Sequence, residues 1–154
     1  MVYKGHSEGG AAMTQLILAS FPFHGALMAA GERLTKSTGL TSARWQVLSA
    51  VVRAERLETV ANISRIMGLT RQAVQRVADD LEKHGFVTFE PNPHHKRAQL
   101  VAVTAEGLRA FELIKSRQVP WANVLATQID ASELKVATGV LAKLKTLMID
   151  QFGE

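Results

Sequence analysis

The chain contains no cysteine. That absence excludes disulfides, sensing by thiol oxidation, and zinc or iron–sulfur sites held by thiolates. Enzyme signatures are also missing. There is no Walker loop and no GxSxG elbow. Asp79 and Asp80 are neighbours on a helical stretch, so their side chains diverge by about a hundred degrees and cannot act as a carboxylate dyad. His94 and His95 lie on a loop with no acid at metal-ligand spacing. No enzyme activity, cofactor or metal is therefore expected. No signal-peptide pattern is visible, and no apolar run is expected to approach a membrane span. These readings place the protein in the cytoplasm. Large charge asymmetry is absent too: the formal net charge is +4, so where the basic residues sit matters more than how many there are.

What is present is concentrated between Thr59 and Arg97. Thr59 is a good helix N-cap, and Ile63, Ile66 and Met67 follow at helical spacing as one apolar stripe. Gly68 stops that helix, because glycine enters the left-handed region without steric cost. Thr70 caps a second helix whose inner face carries Val74, Val77 and Leu81, flanked by Ala73 and Ala78. Gly85 ends it after His84. Phe86 to Glu90 alternates as a half-buried strand should. Pro91-Asn92-Pro93 prohibits helix and forces a turn, and a second strand is expected over Ala98 to Val103. Helix, tight turn, helix and basic hairpin in this order describe a winged helix-turn-helix.

The second helix turns Thr70, Arg71, Gln72, Gln75 and Arg76 outward in its first two turns. Arginine suits the two acceptors of guanine, and glutamine the donor–acceptor pair of adenine. Asp79, Asp80 and Glu82 come only later. The hairpin adds His94, His95, Lys96 and Arg97, suited to phosphates or a minor groove. Any exposed helix is polar, so the helix alone fits an ordinary solvated face equally well. Joined to the glycine turn and the basic hairpin, it favours the DNA-reading interpretation.

Several stretches resemble the MarR (multiple antibiotic resistance regulator) family of bacterial transcription factors. They are Met67-Gly68-Leu69-Thr70, Leu81-Glu82-Lys83-His84-Gly85-Phe86-Val87, Asn92-Pro93, Lys96-Arg97-Ala98 and Val103-Thr104-Ala105-Glu106-Gly107. The resemblance takes in a preceding helix at Thr41 to Ala54 and long helices at both ends. It implies a mostly α fold: a winged helix-turn-helix with long N- and C-terminal dimerisation helices. It also implies that Arg97 takes the place of the family's minor-groove arginine. The family usually has an aspartate just before the two basic wing residues, bracing the tip arginine; here that residue is His95.

A chain of 154 residues suits a single domain. The reading unit is expected at about 41–103, with dimerisation helices at about 13–36 and 105–152. The first dozen residues are expected to be frayed. Pro22 either kinks one helix or follows a new start at Ser20. Pro120 is expected to bend the next long helix, and Asp130 or Ser132 to start the last, with its stripe of Leu134, Val140, Leu141, Leu144, Leu147 and Met148. The terminal helices either close the core of one protomer or interlock with a second copy, and the resemblance favours the second.

The function implied is a homodimeric repressor that binds a pseudo-palindromic double-stranded operator and responds to a small aromatic or phenolic effector. Phe21, Phe23, His24 and Trp45 are candidates for an effector pocket, although an aromatic cluster at helical spacing is more often core. No membrane partner is expected. The alternative is a winged-helix module that binds protein, which would not need the base-edge chemistry of Arg71, Gln72, Arg76 and Arg97.

Overall fold

The computed structural model describes residues 5–95 and 97–152, with only the backbone of Phe152; Lys96 lies outside the described residues. Six helices and three short strands follow in the order α1 (Glu8–Thr35), α2 (Ser42–Arg53), β1 (Glu58–Thr59), α3 (Val60–Met67), α4 (Arg71–Lys83), β2 (Val87–Glu90), β3 (Leu100–Val103), α5 (Ala105–Ala126) and α6 (Ala131–Phe152). The mostly α, winged helix-turn-helix expectation holds.

Each helix start is fixed by a side-chain cap. Thr41, Thr59, Thr70 and Thr104 each accept a hydrogen bond from the amide three residues on, satisfying one donor that the helix leaves free. Asp130 accepts from the Ser132 amide at 2.8 Å and opens α6. Gly68 ends α3 at φ 68°, ψ 31°, a left-handed conformation in which a side chain would be strained.

The sheet is antiparallel in the order β1-β3-β2. Val87 pairs with Val103 and Glu90 with Leu100, while Glu58 pairs with Val101. Thr59 thus ends a strand as well as capping a helix, and the short β1 carries no alternation long enough to read from sequence. The hairpin's second strand starts at Leu100, two residues later than expected.

The core gathers around α2 and α4. Leu48, Val74, Ala78, Leu81 and Ile114 are fully buried, with Val47, Ile63, Val87 and Val101 almost so. Burying a Val or Leu side chain stabilises by about 1.5–3 kcal/mol, so this cluster holds the two reading helices against the wing and α5. Ile66 leaves the expected stripe and is 55% exposed. Three residues fall about 60° short of a full turn, which sets Ile66 on the far side of Ile63 from the buried Val60 and Ser64.

Helix α5 begins directly against the wing. A Cβ on Gly107 would lie 2.0 Å from the Phe86 carbonyl oxygen, so only glycine allows this approach. Thr104 locks the junction: its amide donates to the Phe86 carbonyl at 3.1 Å and its hydroxyl to the Gly85 carbonyl at 2.6 Å.

The N-terminal region departs from expectation in two ways, its start and its apolar length, and settles the alternatives left open at Pro22. Helix α1 starts at Glu8 rather than near Met13, because Ser7 caps it by accepting from the Gly10 amide at 3.1 Å. Pro22 lies inside one continuous helix and does not split it. The helix is also long and apolar enough, by length and composition, to cross a membrane, which overturns the expectation that no run approaches that limit. Gly9 to Gly31 contains no charged residue; Ser20, Pro22 and His24 had disguised its continuity. Among its described residues only Gly31 and Thr35 are buried, at the end that packs on α2 and α5. Pro120 likewise lies within a continuous α5.

Candidate nucleic-acid interface

Helix α4 presents its first turns to solvent because Val74, Ala78 and Leu81 anchor the opposite face. Arg71, Gln72, Gln75, Arg76 and Asp79 line one open surface groove. Arg71, Gln72 and Arg76 are exposed, whereas Gln75 is half-buried. Gln75 donates from Nε2 to the Asp79 carboxylate at 2.7 Å, which orients its amide. Thr70 is occupied as a cap, its hydroxyl accepting from the Ala73 amide at 3.2 Å.

The later acids have structural work. Asp80 receives Arg44 Nε at 2.5 Å, tying α2 to the recognition helix. The Arg44 guanidinium, with desolvation opposing it, holds the Asp80 carboxyl below the usual carboxylate range, helped by His84 and Lys83. His84 Nδ1 sits 3.4 Å from the same carboxylate. Asp80 was not separable from a solvated helix end in the sequence, because Arg44 lies 36 residues away.

The wing tip is a tight turn. The His95 amide donates to the Asn92 carbonyl at 3.3 Å, and the Ala98 amide to the His95 carbonyl at 3.1 Å. The His94 amide donates to the Asn92 side chain at 2.9 Å. His94, His95 and Arg97 are exposed. Arg97 turns back toward the reading helices, where it shares a recess with Arg71 and His95. Two further residues of that recess, Asn62 and Arg65 of α3, were missed by the sequence reading. Their only signal was a polar face on α3, which any exposed helix shows. The Glu58 carboxyl behind them lies below its ordinary value, chiefly because Asn62 donates to it and then because Arg56 does, against desolvation.

A second feature lies where α1, α2 and α5 meet. His24, Leu27, Met28, Trp45, Gln46 and Trp121 line a mostly apolar cavity of about 230 Å³, closed by Gly31, Leu34 and Ser42. Of the four aromatic-cluster candidates, His24 and Trp45 are on its wall. Phe21 and Phe23 are 65% and 63% exposed and are not among its lining residues. They lie on much the same side of α1 as His24 and Leu27 but a turn nearer its N-terminus, away from the end of the helix where its buried residues, Gly31 and Thr35, lie. Trp121 arrives from α5, a contribution that only the tertiary packing reveals.

Residues 38–98, which include the helix-turn-helix and the wing tip, match the MarR family pattern. Protein Rv2011c of Mycobacterium tuberculosis is 35% identical over 132 residues, covering 86% of this chain and 91% of that protein. The chain belongs to the MarR family. Members of this family are DNA-binding transcription regulators, and so is this chain; it is not an enzyme. The transcriptional activatory protein BadR of Rhodopseudomonas palustris is 28% identical over 95 residues, 58% of this chain and 52% of that protein. The fold also matches the organohalide-sensing regulator RdhR-CbdbA1625 in its 2,4-dichlorophenol-bound form. That match has a TM-score of 0.78 at 14% identity and covers 99% of this chain and 91% of that one.

Proposed function

We propose that this MarR family protein is a homodimeric repressor that reads a pseudo-palindromic operator and is released by a small aromatic or phenolic ligand. The observation that carries the reading is the outward face of α4. Arg71, Gln72, Gln75 and Arg76 share one groove, and among the described residues neither arginine has a carboxylate partner. Unpaired guanidiniums and amides at the start of an exposed recognition helix suit base edges in a major groove. Thr70 then serves as the cap that sets the helix start, while His94, His95, Lys96 and Arg97 meet the flanking backbone or minor groove.

Dimerisation is supported by where apolar surface remains uncovered. Among the described residues 22 large hydrophobics are exposed, and 18 of them lie on α1, α5 and α6. Among its described residues helix α6 has none buried in the single chain, and an apolar groove lined by Met13, Ile17, Leu144, Leu147 and Met148 runs between it and α1. So large an apolar face marks an interface, and a second copy covers it with the same residues from the other side. Residues from about 41 to 103 are then the reading unit, and α1, α5 and α6 the scaffold that sets the distance between two reading heads.

The effector reading rests on the cavity at the junction of α1, α2 and α5. A planar apolar ligand between Trp45 and Trp121 touches both scaffold and reading unit, so it favours one head spacing over another. RdhR-CbdbA1625 binds 2,4-dichlorophenol, a ligand of suitable size and character.

Selection of binding sites from random duplex DNA tests the proposal. Wild type should return an inverted repeat. Gln72→Ala and Arg76→Ala should each flatten preference at defined positions, by roughly 1–3 kcal/mol per lost bidentate contact. The same motif from wild type and both variants would remove these residues as readers. Transcription in vitro from a promoter carrying the selected site should fall on adding the protein; a rise would make it an activator.

A further inference from the structure

Three arginines from three separate elements converge beside the wing. Arg65 of α3, Arg71 at the start of α4 and Arg97 of the wing line one recess of about 550 Å³, together with Asn62, Asn92 and His95. No aspartate or glutamate is among the residues lining it. Like charges sharing one recess raise its positive potential, which an anion seated there relieves.

The recess is also built to hold its cations in place. Arg65 donates from Nη2 to Asn62 Oδ1 at 2.7 Å, and Asn62 donates from Nδ2 to the Glu58 carboxylate at 2.5 Å. Arg56 pins the other oxygen of Glu58 at 3.0 Å. Through this relay a carboxylate outside the recess orients Arg65 without neutralising the space in front of it. Thr59, Ala61 and Asn62 bring the start of α3 to the same wall, where the positive end of the helix dipole adds a further attraction for an anion.

Resting on the DNA-binding reading above, we propose that this recess seats one backbone phosphate of the operator. That phosphate would brace the wing arginine in place of a protein carboxylate. The family's usual brace is an aspartate at the position that His95 occupies. Among the described residues no carboxylate pairs with Arg97, and the groups that share its recess are Arg65 and Arg71. A non-bridging phosphate oxygen between these guanidiniums does what the missing acid would do. It does so only when DNA is present. Arg65 and Asn62 thereby become part of the interface, and the wing and the first helix of the motif grip the same strand between the two grooves.

The test uses the full-length protein and a duplex carrying the site selected from random DNA, with affinity measured by fluorescence anisotropy over a range of KCl. Arg65→Ala should reduce the slope of log K against log salt by about 1 per copy, since each lost phosphate contact releases fewer counterions. Base preference should not change. Arg65→Ala and Arg97→Ala should be non-additive: the double variant should bind far better than the product of the two single losses predicts, because both remove the same contact. His95→Asp should weaken binding, as an acid in the recess competes with the phosphate. Additive losses, or tighter binding by His95→Asp, would overturn the shared seat.

Inorganic phosphate, compared with chloride at equal ionic strength, separates a backbone phosphate from a free anion. Equal displacement of DNA by both salts supports the backbone. Specific displacement by millimolar phosphate that Arg65→Ala abolishes would make the recess a site for a soluble anion and defeat the proposal. If Arg76→Ala and Arg97→Ala also leave binding unchanged, the DNA-binding surface itself is wrongly placed. If those two weaken binding while Arg65→Ala does not, only the seat is wrong.

Discussion

Replacing Gly107 by alanine should destabilise the protein although it improves the intrinsic helix propensity of α5. The added methyl would sit 2.0 Å from the Phe86 carbonyl oxygen, 2.9 Å from its carbon and 3.0 Å from a Val103 methyl. Two of these atoms are backbone, so no side-chain rotation relieves the clash. The first turn of α5 must instead move away from the wing by roughly 1 Å, a form of overpacking that typically costs about 1–3 kcal/mol. That movement stretches two hydrogen bonds that pin the junction: Thr104 amide to Phe86 carbonyl at 3.1 Å, and Thr104 hydroxyl to Gly85 carbonyl at 2.6 Å. Each contributes about 1 kcal/mol net. The opposing gain from alanine is at most about 1 kcal/mol in a helix interior and less in a first turn. Loss therefore exceeds gain by roughly 1–2 kcal/mol, a fall in melting temperature of about 2–8 °C. Thermal and urea unfolding at one fixed protein concentration measure it, because the stability of a dimer depends on concentration. Gly9→Ala, where nothing lies within 4 Å, is the control and should cost nothing. A Gly107→Ala protein as stable as wild type would refute the argument that this close approach holds α5 to the wing.

Asp80→Asn should be less stable than wild type at neutral pH, and the difference should vanish under acid. Arg44 depresses the Asp80 carboxyl, so the stabilisation is present above its unfolded value and is lost as pH falls through the folded one; a gap that did not narrow with falling pH in circular-dichroism melts would contradict it. The pair Leu141→Glu, Leu147→Glu places charge on two residues that are 55% and 60% exposed in the single chain; light scattering should show dimers for wild type and monomers for the variant, and a monomeric wild type would end the dimer reading. Trp45 and Trp121, the two tryptophans of the chain, both line the α1–α2–α5 cavity, so an effector should change the intrinsic fluorescence. Its affinity should fall in the presence of operator by the factor with which it weakens DNA binding, and a ligand that binds equally with and without DNA is not the effector.

The sequence by itself determined the local elements whose causes are local. Capping threonines, the left-handed Gly68, the alternating hairpin and the inner stripe of Val74 and Leu81 act over a few residues, so they could be read directly. The outward set Arg71, Gln72 and Arg76 was legible for the same reason: helical period fixes which side chains oppose a buried stripe. Tertiary structure decided what depends on partners far away in the chain. Asp80 is a strut because Arg44 reaches it from α2. The two-residue strand β1 exists because β3 returns beside it, since a pair of residues carries no period of its own. Ile66 leaves its stripe because α3 is only 8 residues long and packs on one narrow face. The cavity wall took Trp121 and left Phe21 and Phe23 in solvent, a choice made by how α5 crosses α1 and α2. Arg65, Arg71 and Arg97 belong to three elements, and no periodicity relates them. Only the packing of α3, α4 and the wing on one core brings their charges into the same recess.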